Sequence, residues 1–226
     1  MRRVFLISVV ILTILTQGCS NFFESATSSV LTSIYDPYAV KSNVDSAIYN
    51  EPINSLGIII YENEIFGRKF LDSSQIASIE NSVKKNIYLV NPYLRVEYSA
   101  IKDAVEKYNL KNEYEEFLDN NDDEDEINYK FIKQLGDMAD IDCLLVIEIR
   151  GITMFPQTYS YVNDELETEP GSTDVNIYTY MYFTRTGKLL WNASVFEEIA
   201  YEVHKPELAS ELVIPTMDRL FEKFPL

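Results

Sequence analysis

Histidine occurs once in this 226-residue chain, at position 204. A Ser-His-Asp triad or a Cys-His pair would have to use it, and no nucleophile motif flanks it in "YEVHKPEL". Cysteine occurs twice. Cys143 lies in the apolar run "DCLLVIEI", where it reads as a small buried hydrophobe, and Cys19 has a separate role considered below, so no intramolecular disulfide is expected. Basic residues are scarce: 19 Lys and Arg stand against 36 Asp and Glu, for a net charge of −17. That balance excludes nucleic acid as a partner, because phosphate binding needs clustered cations. It also disfavours adhesion to anionic lipid heads. Glycine is rare, at 7, whereas tyrosine reaches 16, an ordered and aromatic-rich composition rather than a disordered one.

The chain also lacks an apolar run long enough to span a bilayer as a helix. Its longest N-terminal run, Val4 to Leu15, follows Arg2 and Arg3 and is interrupted by Ser8 and Thr13. A spanning helix needs about twenty apolar residues, so this run fits the basic and apolar regions of a signal peptide. It ends in "TQGCSN". Gly18-Cys19 followed by Ser20 resembles a bacterial lipobox, in which the chain is cut before a cysteine whose thiol takes a diacylglycerol. Thr16 stands where lipoboxes usually carry leucine, and Leu15 is one place further back. A plain signal cut after Gly18 and an uncleaved anchor are the alternatives. The lipobox reading divides the chain into a signal peptide over 1–18, a lipidated N-terminus and tether over 19–54, and one globular domain over 55–226. Stable anchoring needs two or more acyl chains, which a mature bacterial lipoprotein carries. Cleavage removes two positive charges and leaves −19.

"SLGIIIYEN" from Ser55 reads as a buried strand. Asp72 is the expected N-cap of a helix bearing Ile76, Ile79, Val83 and Ile87 at helical spacing. Leu94, Val96 and Tyr98 alternate as a short strand, and Ser99 is expected to cap the next helix. A helical stretch follows with an acidic centre, ending at Gly136 or just beyond. "DCLLVIEIRGITM" is the strongest strand. "TYSYVNDELETEPGST" reads as a loop or turn with ragged strand ends. "DVNIYTYMYFTRTGKLLWNASVFEEI" is a hairpin turning at Arg185–Lys188. The last segment is an amphipathic helix with Pro206 in its first turn and a kink or split at Pro215. The order β-α-β-α-α-β-β-β-α implies an α/β fold, a mixed sheet packed with helices in a single domain.

Three stretches, "SLGIIIYEN", "LGDMADIDCLLVIEIRGI" and the hairpin "YMYFTRTGKLLWNAS" with its T-G-x-x-x-W turn, carry a resemblance. Residues 55 to 224 are similar to the envelope lipoproteins that share a domain like the N-terminal domain of TolB. These include the curli secretion lipoprotein, the peptidoglycan-synthase activator lipoprotein and PelC-like exopolysaccharide lipoproteins. The resemblance implies a non-enzymatic component of an envelope complex, in secretion, polysaccharide export or cell-wall synthesis, with domains that meet edge to edge or dock on a larger assembly. The acidic insertion near 111–128 has no counterpart in it.

The remaining motifs are weak. "DNNDDEDE" (119–126) invites a calcium loop, but the positions that need Gly and Glu hold Glu124 and Lys130. A solvated acidic loop explains it, so no metal site is assigned. "TRTGKLL" lacks the first Gly and the final hydroxyl of a phosphate loop, where Tyr182 and Leu189 stand. Glu148 and Asp142 flank the strong strand, and paired carboxylates can do acid-base work. The plainer reading has Asp142 starting the strand and Glu148 on its wetter side. No catalytic residue and no cofactor is assigned. Tyr178, Tyr180 and Tyr182 alternate and so share one strand face. They form either an exposed ladder for protein or glycan contact or a row lining the sheet beneath a helix. The expected partners are a membrane through the lipid on Cys19, an envelope protein or glycan, and weakly a second copy. The expected place is the cell envelope, at the outer membrane, on its periplasmic side or at the surface. A periplasmic enzyme or ligand-binding protein and a lipoprotein contacting host or environment are the competing readings.

Overall fold

A computed structural model describes residues 40–63, 69–120, 129–155, 158–162, 165–201 and 208–226. The elements run β1 (Lys41–Val44), a 3-10 turn (Ser46–Tyr49), β2 (Ser55–Glu62), α1 (Ser73–Val90), β3 (Arg95–Glu97), α2 (Ser99–Lys107), α3 (Lys111–Asn120) and α4 (Tyr129–Ala139). Then come β4 (Cys143–Phe155), β5 (Thr158–Val162), β6 (Glu165–Glu169), β7 (Gly171–Phe183), β8 (Lys188–Tyr201), a π-helical turn (Leu208–Val213) and α5 (Ile214–Phe221). Six strands form one mixed sheet in the order β1-β8-β7-β4-β2-β3. β3, β2 and β4 are parallel, and β4, β7, β8 and β1 alternate in direction. The fold is α/β, as the element pattern implies.

Strand alternation builds a core on each sheet face. Cys143, Leu145, Ile147 and Ile149 of β4 face the layer that holds Ile79, Val83 and Ile87 of α1 and Met217, Leu220 and Phe221 of α5. Leu144 and Val146 face the opposite layer, with Ile101 of α2, Phe117 of α3 and Ile132 and Leu135 of α4. Both faces of the central strand are therefore covered over its first half, which is why "CLLVI" is apolar without a break.

Local signals set the ends of the helices. Asp72 caps α1 in a full capping box. Its carboxylate accepts from the Ser74 and Gln75 amides at 2.8 and 2.9 Å, and the Gln75 side chain accepts from the Asp72 amide at 2.9 Å. Such a cap contributes about 1 kcal/mol. Ser99 does not cap α2 but lies within it. Tyr98 precedes the helix without a side-chain cap, and its hydroxyl donates instead to the Glu80 carbonyl at 2.6 Å. The segment just after Gly136 ends α4, as expected. The helix runs on to Ala139, where Asp140 turns left-handed (φ 54°) and the Ile141 amide donates back to the Gly136 carbonyl at 3.1 Å. Asn109 does the same after α2, so short polar side chains fill left-handed positions that glycine usually takes. In the hairpin turn Gly187 adopts φ +75°, and a Cβ there would also meet Tyr129. At the C-terminal end the helix divides near Pro215 as expected. Proline has no N–H to donate and crowds the carbonyl four residues earlier, and the turn before it widens to π geometry. Pro206 lies outside the described residues.

Two further segments differ from the sequence reading. Residues 41–49 fall in the stretch read as tether, yet β1 pairs antiparallel with β8 from Lys41↔Ser194 to Val44↔Trp191, and Ile48 is buried in the core. The folded unit thus starts near Val40 rather than Ser55. Residues 158–162 and 165–169, read as a loop or turn with ragged strand ends, are two full strands, β5 and β6, paired antiparallel in a separate sheet.

Candidate functional site

The sheet face beneath α2 and α4 is covered only in part. Its rows can be followed across strands by register. Leu144 of β4 stands opposite Tyr182 of β7, Val146 opposite Tyr180, and Glu148 opposite Tyr178. On β8, Tyr180 meets Asn192 and Tyr178 meets Ser194, and β1 continues these two rows with Asn43 and Lys41. Tyr182 lies in the apolar part and is fully buried. Its ring stacks on that of Tyr180, with centroids 6.4 Å apart. Beyond Tyr180 the face opens into a concavity of about 380 Å3, lined by Lys41, Asn43, Arg150, Tyr178, Tyr180, Asn192, Ala193 and Ser194.

Glu148 and Arg150 organise this concavity. They are two residues apart on β4 and so share the face. Glu148 is not on a wetter side: it is completely buried. Arg150 forks onto it, Nε to Oε1 at 2.9 Å and Nη2 to Oε2 at 2.7 Å, and Asn63 donates to Oε1 at 2.8 Å. Burial pushes the Glu148 carboxyl above the usual range, and hydrogen bonds from Asn63 and Tyr61 partly oppose that. The Arg150 guanidinium also lies over the Tyr178 ring, 4.5 Å from its centroid, a cation–π contact. Burial, and next the Glu148 charge, raise the Tyr180 hydroxyl, while Arg150 works against them. The result is a planar cation held in one orientation by a carboxylate below and an aromatic ring beside it.

The other sequence candidates fall elsewhere. Asp142 is six residues from Glu148 on one strand, about 20 Å away, and its carboxylate is engaged by the Asn54 and Ser55 amides at 2.9 and 3.2 Å, which pins the start of β2 to β4. The two carboxylates do not meet. Cys143 is buried, and burial pushes its thiol well above the usual range. Lys188 of the Gly-Lys pair binds Asp45 at 2.7 Å and ties the hairpin turn to the 3-10 turn. Of the tyrosine row, Tyr178 and Tyr180 line the concavity, whereas Tyr182 belongs to the core. Cys19, His204 and residues 121–128 of the acidic loop lie outside the described residues. Among the described residues, no group of three His, Cys, Asp or Glu side chains converges to hold a metal, and no helix is long and apolar enough to cross a membrane. Arg150 was the residue that sequence reasoning passed over. Its signal was the i, i+2 spacing from Glu148.

No family model matches the chain, and no curated protein does. Solved structures give similar folds at low identity. PelC from Paraburkholderia phytofirmans, a dodecamer, is 10% identical over 80% of this chain and 96% of its own, with a TM-score of 0.40. Lipoprotein GNA1162 from Neisseria meningitidis is 15% identical over 76% of this chain and 99% of its own, with a TM-score of 0.37. The protein CT253 from Chlamydia trachomatis is 8% identical over 75% and 91%, with a TM-score of 0.39. Likeness at this level does not reach individual residues or their roles.

Proposed function

We propose that this chain is a non-enzymatic binding component of a bacterial cell envelope, tethered to a membrane through lipid on Cys19. The concavity around Tyr178, Tyr180 and Arg150 is its contact surface. The observation that carries this reading is the half-open sheet face. Aromatic rings, carboxamides and a fixed guanidinium are gathered there, and the buried carboxylate beneath them is tied up by hydrogen bonds from Asn63 and Arg150 rather than held ready for proton transfer. Tyrosine and arginine are the residues over-represented at binding hot spots. Two of the lining residues, Lys41 and Asn43, sit on β1, the first strand after the tether. Twenty residues separate Cys19 from Val40.

Two expected results follow from the two halves of this reading. Cys19→Ser abolishes acyl labelling and releases the protein from the membrane fraction. Continued labelling and membrane retention of the mutant would remove the lipid anchor. Tyr178→Ala and Tyr180→Ala each reduce partner capture in cross-linking pull-downs from intact cells by roughly tenfold, the size of one hot-spot truncation. Undiminished capture by both, at wild-type abundance, would remove the concavity as the contact surface. Tyr182→Ala is unsuited to this test because it opens a cavity in the core.

A further inference from the structure

A second feature lies at the opposite edge of the sheet. β2 runs from Ser55 to Glu62, but β3 pairs with it only at Ser55, Leu56 and Gly57. The direction of each backbone group on β2 follows from two bonds. The Arg95 amide donates to the Asn54 carbonyl at 3.0 Å, so Asn54 faces the β3 side, and the Asn63 amide donates to the Ile149 carbonyl at 2.9 Å, so Asn63 faces β4. Backbone direction alternates along a parallel strand. The N–H and C=O of Ile60, and the C=O of Ile58, therefore point away from β4, past the end of β3. No hydrogen bond reaches them from any described residue. They open into a slot of about 710 Å3.

The slot has the shape of a missing strand. It continues the line of β3 and lies between helical layers, with α1 on one side and α2 and α3 on the other. Its walls differ. Val105, Tyr114 and Leu118 of α2 and α3 give one side its apolar surface, with Lys102, Glu106, Lys111 and Glu115 of the same helices around it. On the other side Glu80 of α1 is half-buried with no ion pair to its carboxylate among the described residues, and burial raises that carboxyl above its ordinary range. An extended chain laid against β2 would satisfy the open backbone groups and send alternate side chains to the two walls.

We propose that this slot is a docking site for an extended segment of a partner protein. The segment adds to β2 as a further strand, with an apolar residue against Val105, Tyr114 and Leu118 and a lysine or arginine against Glu80. The charge choice follows from the slot's own balance, in which Glu80, Glu106 and Glu115 outnumber Lys102 and Lys111, and from the acidity of the whole chain. That same acidity opposes a second copy in this position, since each copy carries −17. The site is separate from the concavity on the sheet face and does not depend on it.

The test uses full-length protein in detergent micelles and two blocked hexapeptides of equal charge. In one, valine and lysine alternate. In the other, three valines precede three lysines. Amide hydrogen exchange at Ile60 is expected to slow at least tenfold with the alternating peptide and to change little with the block peptide. Ile60→Pro removes only an edge-facing N–H, which edge strands tolerate, and abolishes the binding. Val105→Arg, which fills the slot from the helix side, abolishes it independently should the proline variant fold poorly. Glu80→Gln weakens the lysine peptide about tenfold and leaves an alternating valine-serine peptide unaffected. Equal protection by both lysine peptides would show adsorption by charge alone. Protection of Ile60 that rises with protein concentration and needs no peptide would show a second copy in the slot. Either result, or no protection at all, overturns the proposal.

Discussion

Replacing Arg150 with methionine is expected to lower unfolding free energy by about 3 kcal/mol at pH 7, and by much less at pH 4. Glu148 is fully buried, and Arg150 supplies two of the hydrogen bonds to its carboxylate. Removing one partner of a buried pair leaves a charge that the interior does not solvate, which costs about 3–5 kcal/mol. The lower end applies because the Arg150 side chain is 30% exposed and water can follow it in. Burial raises Glu148 on folding. A carboxyl raised on folding contributes its stability below the unfolded value of about 4.3 and loses it as pH climbs through the folded one. Loss of the guanidinium removes the cation that favours the ionised form, so the carboxyl rises further and the deficit widens from pH 4 to pH 7. Urea denaturation across that range reads the effect. Adding Glu148→Gln to the same variant removes the stranded charge and recovers much of the loss. A deficit independent of pH would instead place the whole effect in lost packing on Tyr178.

That carboxylate also shows where sequence reading reaches its limit. "CLLVIEIRGI" identifies the strand, and alternation puts Glu148 and Arg150 on one face. Burial depends on how far α2 and α4 extend over that face, which no local pattern records. The tyrosine row behaved likewise. One sequence spacing yields a core residue at Tyr182 and surface-lining residues at Tyr178 and Tyr180, because the helical layer stops between them. Elements with strong local chemistry were legible: the Asp72 cap, the Gly187 turn and the interruption near Pro215. β1 was not. All four of its residues are exposed, so "KSNV" carries no hydrophobic signal, and only its edge pairing with β8 makes it a strand. β5 and β6 were read as a loop or turn with ragged strand ends because they form their own small sheet, outside the main one. The slot beside β2 was invisible for another reason: it is defined by where β3 ends.

An effect of similar size is expected at a glycine near the end of the helix that the sequence reading closed at Gly136 or just beyond. Gly136 lies inside α4 and is buried. By intrinsic propensity alanine there should stabilise the helix by about 1 kcal/mol. Packing reverses the sign. A Cβ at 136 would stand 2.2 Å from the Thr184 Cβ and 2.7 Å from its Oγ1, far inside contact distance. Thr184 cannot step aside cheaply. Its hydroxyl is buried against the carbonyls of Ile141 and Asp142 at 2.6 and 2.8 Å, and its amide donates to the Asp142 carbonyl at 2.9 Å. Moving it would strand buried polar groups, at about 1–3 kcal/mol, on top of an overpacking cost of about 1–3 kcal/mol. Gly136→Ala is therefore expected to destabilise the domain by about 3 kcal/mol in net, read as a lower urea midpoint with an unchanged slope. Gly57→Ala is the internal comparison. There a Cβ would meet the methyl ends of Ile141 and Ile101, at 2.4 and 2.8 Å, and the Ile101 Cγ1 at 3.2 Å, and these side chains can change rotamer. Its cost should be well below that of Gly136→Ala. Equal costs at the two sites would mean that α4 can lift from the hairpin turn, and that the contact between Gly136 and Thr184 does not fix its position.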